Sequence, residues 1–458
     1  MKKSRFIPLI LIFCLILMLF CPAALAETTE SIDQYSDTHP YVSSKYALVA
    51  DMDTGRVLYE KGGYEQHPPA SITKIMTALL CIEAIERGEL NLDDSITAPD
   101  DCREGVPDEA STAHIVGGEI MSLEDILYCT LLPSANEACN IIAVLLADSR
   151  ESFVNMMNER AAQIGCTSTH FSNPNGISND NHYTTAYDLF LIARECMRHE
   201  IFSTIVGTVK HDIPATNKSE ARHLTNSNAL INVESFYGDH YVYPGCYGVK
   251  TGHTELAGYN LVTCVERNGM NLMVVVFGGY AYGTGFSNFT DSVNLYDWAF
   301  NEYRSEKLLD KGVVMGTVAI EGSKSGETVE LVTMDDVCAA CASNMSVSDL
   351  QQAVRIFRSS VSAPVEKGAV LGEVSYTDAE GNIFASTPLV AAESVDSRGF
   401  SLGSGNGLFS HVWVWIVLII LLLAAGFFGY MYISYKKHNA KLAKRRHGAH
   451  EVKKNEKA

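Results

Sequence analysis

The pair Ser71 and Lys74, the tripeptide Ser134-Ala135-Asn136 and the tripeptide Lys250-Thr251-Gly252 stand in that order along a chain of 458 residues. The first opens an apolar helical pattern, the second separates two such patterns, and the third lies in a strand pattern. A fold that uses all three must bring a helix start, a loop and a strand to one point. Alone, each signal is weak: Ser434-Tyr435-Lys436-Lys437 repeats the Ser-to-Lys spacing, and Ser292-Val293-Asn294 and Ser404-Gly405-Asn406 repeat the Ser-to-Asn spacing. Lys-Thr-Gly occurs once, and the order and setting of the three together specify a serine acyl-transfer site.

The chain ends fix the compartment. Lys2, Lys3 and Arg5 precede an apolar run at 7–20, and Ala24-Leu25-Ala26 offers small residues to a signal peptidase, so residues 1–26 read as an export leader. Phe20 puts a bulky ring before Cys21, which argues against a lipoprotein site. Residues 412–433 carry no charge, a length sufficient to cross a hydrocarbon core as a helix. Trp413 and Trp415 suit one interface and Tyr430, Tyr432 and Tyr435 the other, while the basic tail 434–458 marks the cytoplasmic side. The expected location is the cell membrane, single-pass, with the body outside. With leader and tail set apart, the body keeps 23 basic and 52 acidic residues, a balance that argues against a nucleic-acid or anionic-lipid partner and says nothing of reaction type.

Apolar runs at 47–50 and 56–59 around Asp53-Thr54-Gly55 predict a β-hairpin. Dense apolar residues at 71–86, after Pro68-Pro69 and before Gly88, predict a largely buried helix with Ser71 in its first turn. Further helices are expected at 122–132 with Ser122 and Asp125 at its start, at 150–164 stopped by Gly165, and at 186–198 after Thr185. Strands follow at 248–254, 259–266 and 270–277, the last two joined at Asn268-Gly269, and a helix at 289–303 closes the set. A sheet opened early and completed after a helical insertion gives one α/β catalytic domain, residues 27–305, with its cleft between sheet and helices. Short β-like runs at 313–320, 328–332, 369–376 and 383–389 make residues 306–394 a small β domain, and 395–411 is a Ser/Gly-rich linker. Ten of the cysteines lie beyond the leader, mostly in apolar patterns; Cys338-Ala339-Ala340-Cys341 reads as a local disulfide or free thiols before a metal or redox pair.

The motifs have definite chemistry. Ser71 and Lys74 share one helical face, so a neutral Lys74 amine would take the Ser71 proton; burial and a second cation, Lys250, would depress its pKa. Ser134 would relay a proton to a leaving amine and Asn136 orient a substrate amide. In the strand, Lys250 and Gly252 share a face, an extended substrate would pair with the edge, Thr251 would contact a terminal carboxylate, and the N–H groups of Ser71 and His253 would hold the oxyanion.

Pro69-Ala70-Ser71-Ile72-Thr73-Lys74, Phe171-Ser172-Asn173-Pro174-Asn175-Gly176, the run from Tyr247 to Thr254 and Ala257-Gly258-Tyr259 together resemble the serine D-alanyl-D-alanine carboxypeptidases, the low-molecular-mass penicillin-binding proteins of peptidase family S11. Ala363-Pro364-Val365 with Lys367-Gly368 resembles the family's trailing β domain. The resemblance implies an α+β fold of the serine β-lactamase and penicillin-binding-protein type, with an antiparallel sheet and a helical lobe, and no cofactor or metal. It implies that Ser71 attacks the bond between two D-alanines ending a peptidoglycan stem peptide, that D-alanine leaves and water hydrolyses the acyl-enzyme, and that β-lactams acylate the same serine. Two positions depart from the family: Ala135 stands where Gly is frequent, and residues 278–303 hold no Arg or Lys for the substrate carboxylate, which leaves Arg222 as a substitute.

Three rivals remain. A class A β-lactamase needs a Glu for its deacylating water, and residues 172–184 contain none. A zinc peptidase would use His182 and Asp188 but finds no clear third ligand. A membrane-tethered β-lactam sensor or scaffold would acylate without turnover, yet the short basic tail offers no evident signal output.

Overall fold

The computed structural model describes residues 39–233, 238–283, 285–323 and 327–397. The expected leader, the transmembrane run, the basic tail and all but the first residues of the linker lie outside them. Among the described residues no helix is long and apolar enough to cross a membrane.

The chain opens with β1 (Tyr46–Asp51) and β2 (Val57–Lys61), an antiparallel hairpin as expected. Its turn is held by Asp51, whose carboxylate accepts from the N–H and hydroxyl of Thr54. After Pro68-Pro69 comes a short 3-10 turn, Ala70–Thr73, and then α1 (Lys74–Glu86), apolar on nearly every side and buried accordingly. Ser71 thus sits in the tight turn before the α-helix rather than in its first turn.

The short pair β3 (Ser95–Thr97) and β4 (Ile120–Ser122) leads into α2 (Leu123–Leu131), which Ser122 caps by accepting from Asp125 N–H at 3.0 Å. Next come α3 (Asn136–Leu146), α4 (Arg150–Ile164), ended by Gly165 at φ +106°, α5 (Ala186–Cys196), capped by Thr185, and α6 (Glu200–Gly207). These helices surround α1. A hairpin of β5 (Lys210–Ile213) and β6 (Arg222–Thr225) precedes the long strands β7 (Cys246–Thr254), β8 (Gly258–Arg267) and β9 (Met270–Gly279). Asn268 and Gly269 both have positive φ, the two-residue turn that the sequence signals.

The five long strands form one antiparallel sheet in the order β2-β1-β9-β8-β7. The first hairpin therefore meets the last strand of the domain across the intervening helical lobe, and β7 is left at the edge. The miniature pair β10 (Ala281–Tyr282) and β11 (Gly285–Phe286) then turns the chain into α7 (Ser287–Glu302), packed on β8 and β9. Tyr303, expected to end that helix, instead begins β12 (Tyr303–Leu309), where it pairs with Ala342.

The β region follows with β13 (Val314–Glu321), β14 (Thr328–Thr333), β15 (Val337–Ala342), β16 (Gln351–Ile356), β17 (Ser360–Ser362), β18 (Val370–Thr377) and β19 (Ile383–Ala391). The four expected runs correspond to β13, β14, β18 and β19. The chain divides into two compact units, the first holding the catalytic lobe with residues 329–359 and 367–393. In it β12 pairs with β15, and β16, β18, β19 and β14 pair antiparallel in that order. In the second unit, residues 319–321 run parallel to 360–362, and Val365 bridges Val395. Cys338 and Cys341 fall three apart in β15, the first exposed and the second buried, so period-2 alternation separates them and, of the local disulfide and free thiols left open by their spacing, they are free thiols.

Candidate active site

Ser71 reaches the cleft because its turn is bent. Ala70, just before it, has φ +51°, and Asn260 on β8 donates to the carbonyls of Pro68 and Pro69 at 3.0 and 3.2 Å, pinning the approach. Gly252 of β7 lies against the same turn: a Cβ there would stand 3.0 Å from Ile72 Cγ1 and Pro69 O. Gly176 presses from the other side, where a Cβ would meet Ala70 O at 1.9 Å. Three distant segments therefore fix the nucleophile's backbone.

Lys74 is fully buried one turn on, and its Nζ donates to Ser71 Oγ at 2.8 Å, to Asn136 Oδ1 at 3.0 Å and to Asn175 O at 2.6 Å. Burial pulls its pKa down to about 8, with Cys139 and Glu137 acting in the opposite sense. Lys250 on β7 is also buried; burial first, then the charge of Lys74, hold its pKa well below the usual lysine range, and its Nζ donates to Thr251 O at 3.1 Å. The depressed base is present, its lowering owed to burial, and the charge of Lys74 acts in turn on Lys250.

Asn136 is the first residue of α3 rather than part of a loop, and its Nδ2 donates to Ser111 O at 2.9 Å, which turns Oδ1 toward Lys74. Ser134 takes φ +66° in the connection and its buried Oγ has no partner among the described residues, so the hydroxyl remains available to a reacting group. Ser71, Ser134, Asn136, Thr251, Gly252 and His253 all line one cavity of about 780 Å³. Thr251 Oγ1 lies 2.6 Å from Ser227 Oγ, another lining residue, and the His253 ring stacks on Tyr259.

Arg222 is elsewhere. It is not among the cavity residues; Nη2 donates to Glu119 Oε1 at 2.6 Å and approaches His114 O at 3.4 Å. Glu119 is fully buried and needs a countercharge, and β6 presents Arg222 to it, so the role expected for this arginine in carboxylate binding is overturned. The zinc pairing fails for a similar reason. His182 Nδ1 accepts from Ser172 N–H at 2.9 Å and Nε2 lies 2.8 Å from Thr73 Oγ1, while Asp188 accepts from Ser168 N–H and Thr169 Oγ1. Both side chains are spent on holding loops.

Asn175, Ser227 and Asn260 had no assigned role from sequence. The density of turn formers in Asn173-Pro174-Asn175-Gly176 signals a special loop there, but nothing in it says that a carbonyl will face Lys74.

This arrangement holds a serine hydroxyl against a buried amine of lowered pKa at the mouth of a substrate-sized cavity, the requirement for covalent acyl transfer. A sequence profile described as D-alanyl-D-alanine carboxypeptidase, Peptidase_S11, matches residues 33–281, and one described as penicillin-binding protein 5, C-terminal domain, matches 303–397. The chain is 29% identical over 390 residues to the D-alanyl-D-alanine carboxypeptidase DacF of Bacillus subtilis, an alignment covering 85% of this chain and 94% of that one. Among solved structures, penicillin binding protein 5 from Haemophilus influenzae matches with a TM-score of 0.61 at 25% identity, over 79% of this chain and 100% of that chain. The Streptomyces K15 DD-transpeptidase matches with a TM-score of 0.52 at 27% identity, over 58% of this chain and 99% of that chain. The catalytic fold, the trailing β domain and a profile match over more than half of the length agree: the chain belongs to the peptidase S11 family of D-alanyl-D-alanine carboxypeptidases.

Proposed function

We propose that this serine-type D-alanyl-D-alanine carboxypeptidase trims the terminal D-alanine from peptidoglycan stem peptides at the outer face of the cell membrane, as a step in cell-wall maturation. The observation that carries the chemistry is the 2.8 Å contact between buried Lys74 Nζ and Ser71 Oγ. Neutral Lys74 accepts the hydroxyl proton as Ser71 Oγ attacks the penultimate D-alanine carbonyl. The N–H groups of Ser71 and His253, both on the cavity wall, receive the oxyanion. The C–N bond breaks, the proton returns through Ser134 to the departing amine, and free D-alanine leaves. Water then hydrolyses the ester and regenerates Ser71. Lys250 supplies positive charge behind Lys74, Asn136 orients the peptide amide, and Thr251 with Ser227 offers hydroxyls to the terminal carboxylate. A β-lactam acylates Ser71 by the same attack, its ring C–N bond opening in place of the peptide bond.

Charge and hydropathy at the ends support export through residues 1–26 and a single anchor at 412–433, with the tail 434–458 inside. The profile matches support a catalytic domain over residues 27–305 and a β domain over 306–394.

The test is release of free D-alanine from a peptide ending in D-Ala-D-Ala, run beside labelling by a fluorescent penicillin. Both are expected in the native chain and both are expected to vanish in Ser71→Ala. Labelling without release would support the sensor reading instead, and release that survives Ser71→Ala would sink the mechanism.

A further inference from the structure

Glu137 follows Asn136 at the start of α3 and is completely buried. Its Oε1 accepts three hydrogen bonds from one strip of chain: Thr112 Oγ1 at 2.6 Å, Ala113 N–H at 2.8 Å and Ile115 N–H at 3.3 Å. Its Oε2 is buried with no donor among the described residues. The residue before the strip, Ser111, accepts from both the N–H and the Nδ2 of Asn136 at 3.0 and 2.9 Å. Two consecutive residues thus grip residues 111–115, and the upstream part of that segment, Pro107, Glu109, Ala110 and Ser111, forms one wall of the cavity.

We propose that Glu137 is a positioning residue for acylation of Ser71: its carboxylate clamps residues 111–115 onto the start of α3, and thereby fixes Asn136 and the Lys74 amine that Asn136 holds. The proposal rests on the reading of Ser71 as nucleophile and Lys74 as base. Its second effect is electrostatic. The groups around Lys74 are Lys250 from β7, Cys139 one turn further along α3, and His182 from the loop behind; Cys102 and Cys129 face Glu137 from the neighbouring loop and from α2. Among these, Glu137 is the carboxylate, and its negative charge, after that of Cys139, favours the protonated amine in opposition to burial.

The clamp and the charge separate experimentally. Acylation by a chromogenic β-lactam and D-alanine release are measured against pH for the native chain, Glu137→Gln, Thr112→Val and the exposed control Glu151→Gln, each checked for folding by thermal melting. In Glu137→Gln the loss of negative charge leaves Lys74 easier to deprotonate, so the acid limb of the acylation profile moves to lower pH. Thr112→Val keeps the charge and removes one arm of the clamp: KM rises severalfold while the acid limb stays in place. Glu151→Gln matches the native chain. An unmoved limb in folded Glu137→Gln overturns the proposal; should that variant fail to fold, an unchanged KM in Thr112→Val overturns it alone. Ser71→Ala keeps the two hypotheses apart, since residual acylation there defeats the underlying reading, whereas its loss alongside a native profile in Glu137→Gln defeats only the role given to Glu137.

Discussion

A buried lysine held by a hydroxyl, an amide oxygen and a backbone carbonyl is a base in waiting, and its titration sets when the enzyme works. With a pKa near 8, Lys74 is mostly protonated at neutral pH, so the acylation rate is expected to rise about tenfold per pH unit below 8 and level off above it, as read by stopped-flow acylation with a chromogenic β-lactam. Lys74→Arg, which keeps the charge but cannot act as the base, is expected to lose about 10²- to 10⁴-fold. His182 titrates in the other direction of consequence. Burial lowers its pKa to about 4, so the folded chain holds it neutral where the unfolded chain, at 6.5, begins to bind a proton. Its contribution to stability is complete above pH 6.5 and is lost as pH falls toward 4; melting temperatures across that window are expected to fall less steeply in His182→Gln than in the native chain. Ser71, Lys74 and Lys250 were legible because their residue types and spacing are dictated by chemistry. Asn175 was not, because it contributes a main-chain carbonyl, and any residue carries one of those.

The elements around the nucleophile act through close backbone approach, and this makes some small changes severe. Gly176→Ala adds a Cβ 1.9 Å from Ala70 O at a position with φ +89°, and the loop must retreat from the Ser71 turn. A displacement of roughly 1 Å at the nucleophile is expected to reduce acylation by about 100-fold, measured as the second-order acylation constant. Arg222→Ala is expected to behave oppositely: it strands the buried Glu119 carboxylate and lowers unfolding stability by about 3–5 kcal/mol in denaturant titration, while KM for the peptide stays near native. Caps and turns made most element boundaries readable, with Ser122, Thr185, Gly165 and Asn268-Gly269 each placed where their local hydrogen bonding or φ demands. The strands β15 and β16 escaped because their sequences carry little pattern: Val-Cys-Ala-Ala-Cys-Ala has small residues on both faces, and all six residues of β16 are exposed. The misassignment of Arg222 has a comparable cause, since a salt bridge to Glu119 joins residues 103 positions apart and leaves no local trace.

For the molecule as a whole, the catalytic lobe and the β strands that follow it meet at Arg56. This side chain, on the first hairpin, donates to Ala340 O and lies over the Phe384 ring, 4.0 Å from its centroid. Arg56→Ala is expected to lower the melting temperature while leaving Ser71 acylation near native, because every cavity residue precedes position 290. The parts that hold Lys74 arrive from three places: the turn and helix at 71–74, the start of α3 at 136 and the loop at 175. A chain in which the helical lobe has not closed around α1 is expected to lack that full set of contacts. Reactivity at Ser71 is consequently a census of native molecules. A covalent penicillin tag is expected to count folded copies in a refolding mixture, and its rate of appearance during refolding to clock the closure of the lobe itself.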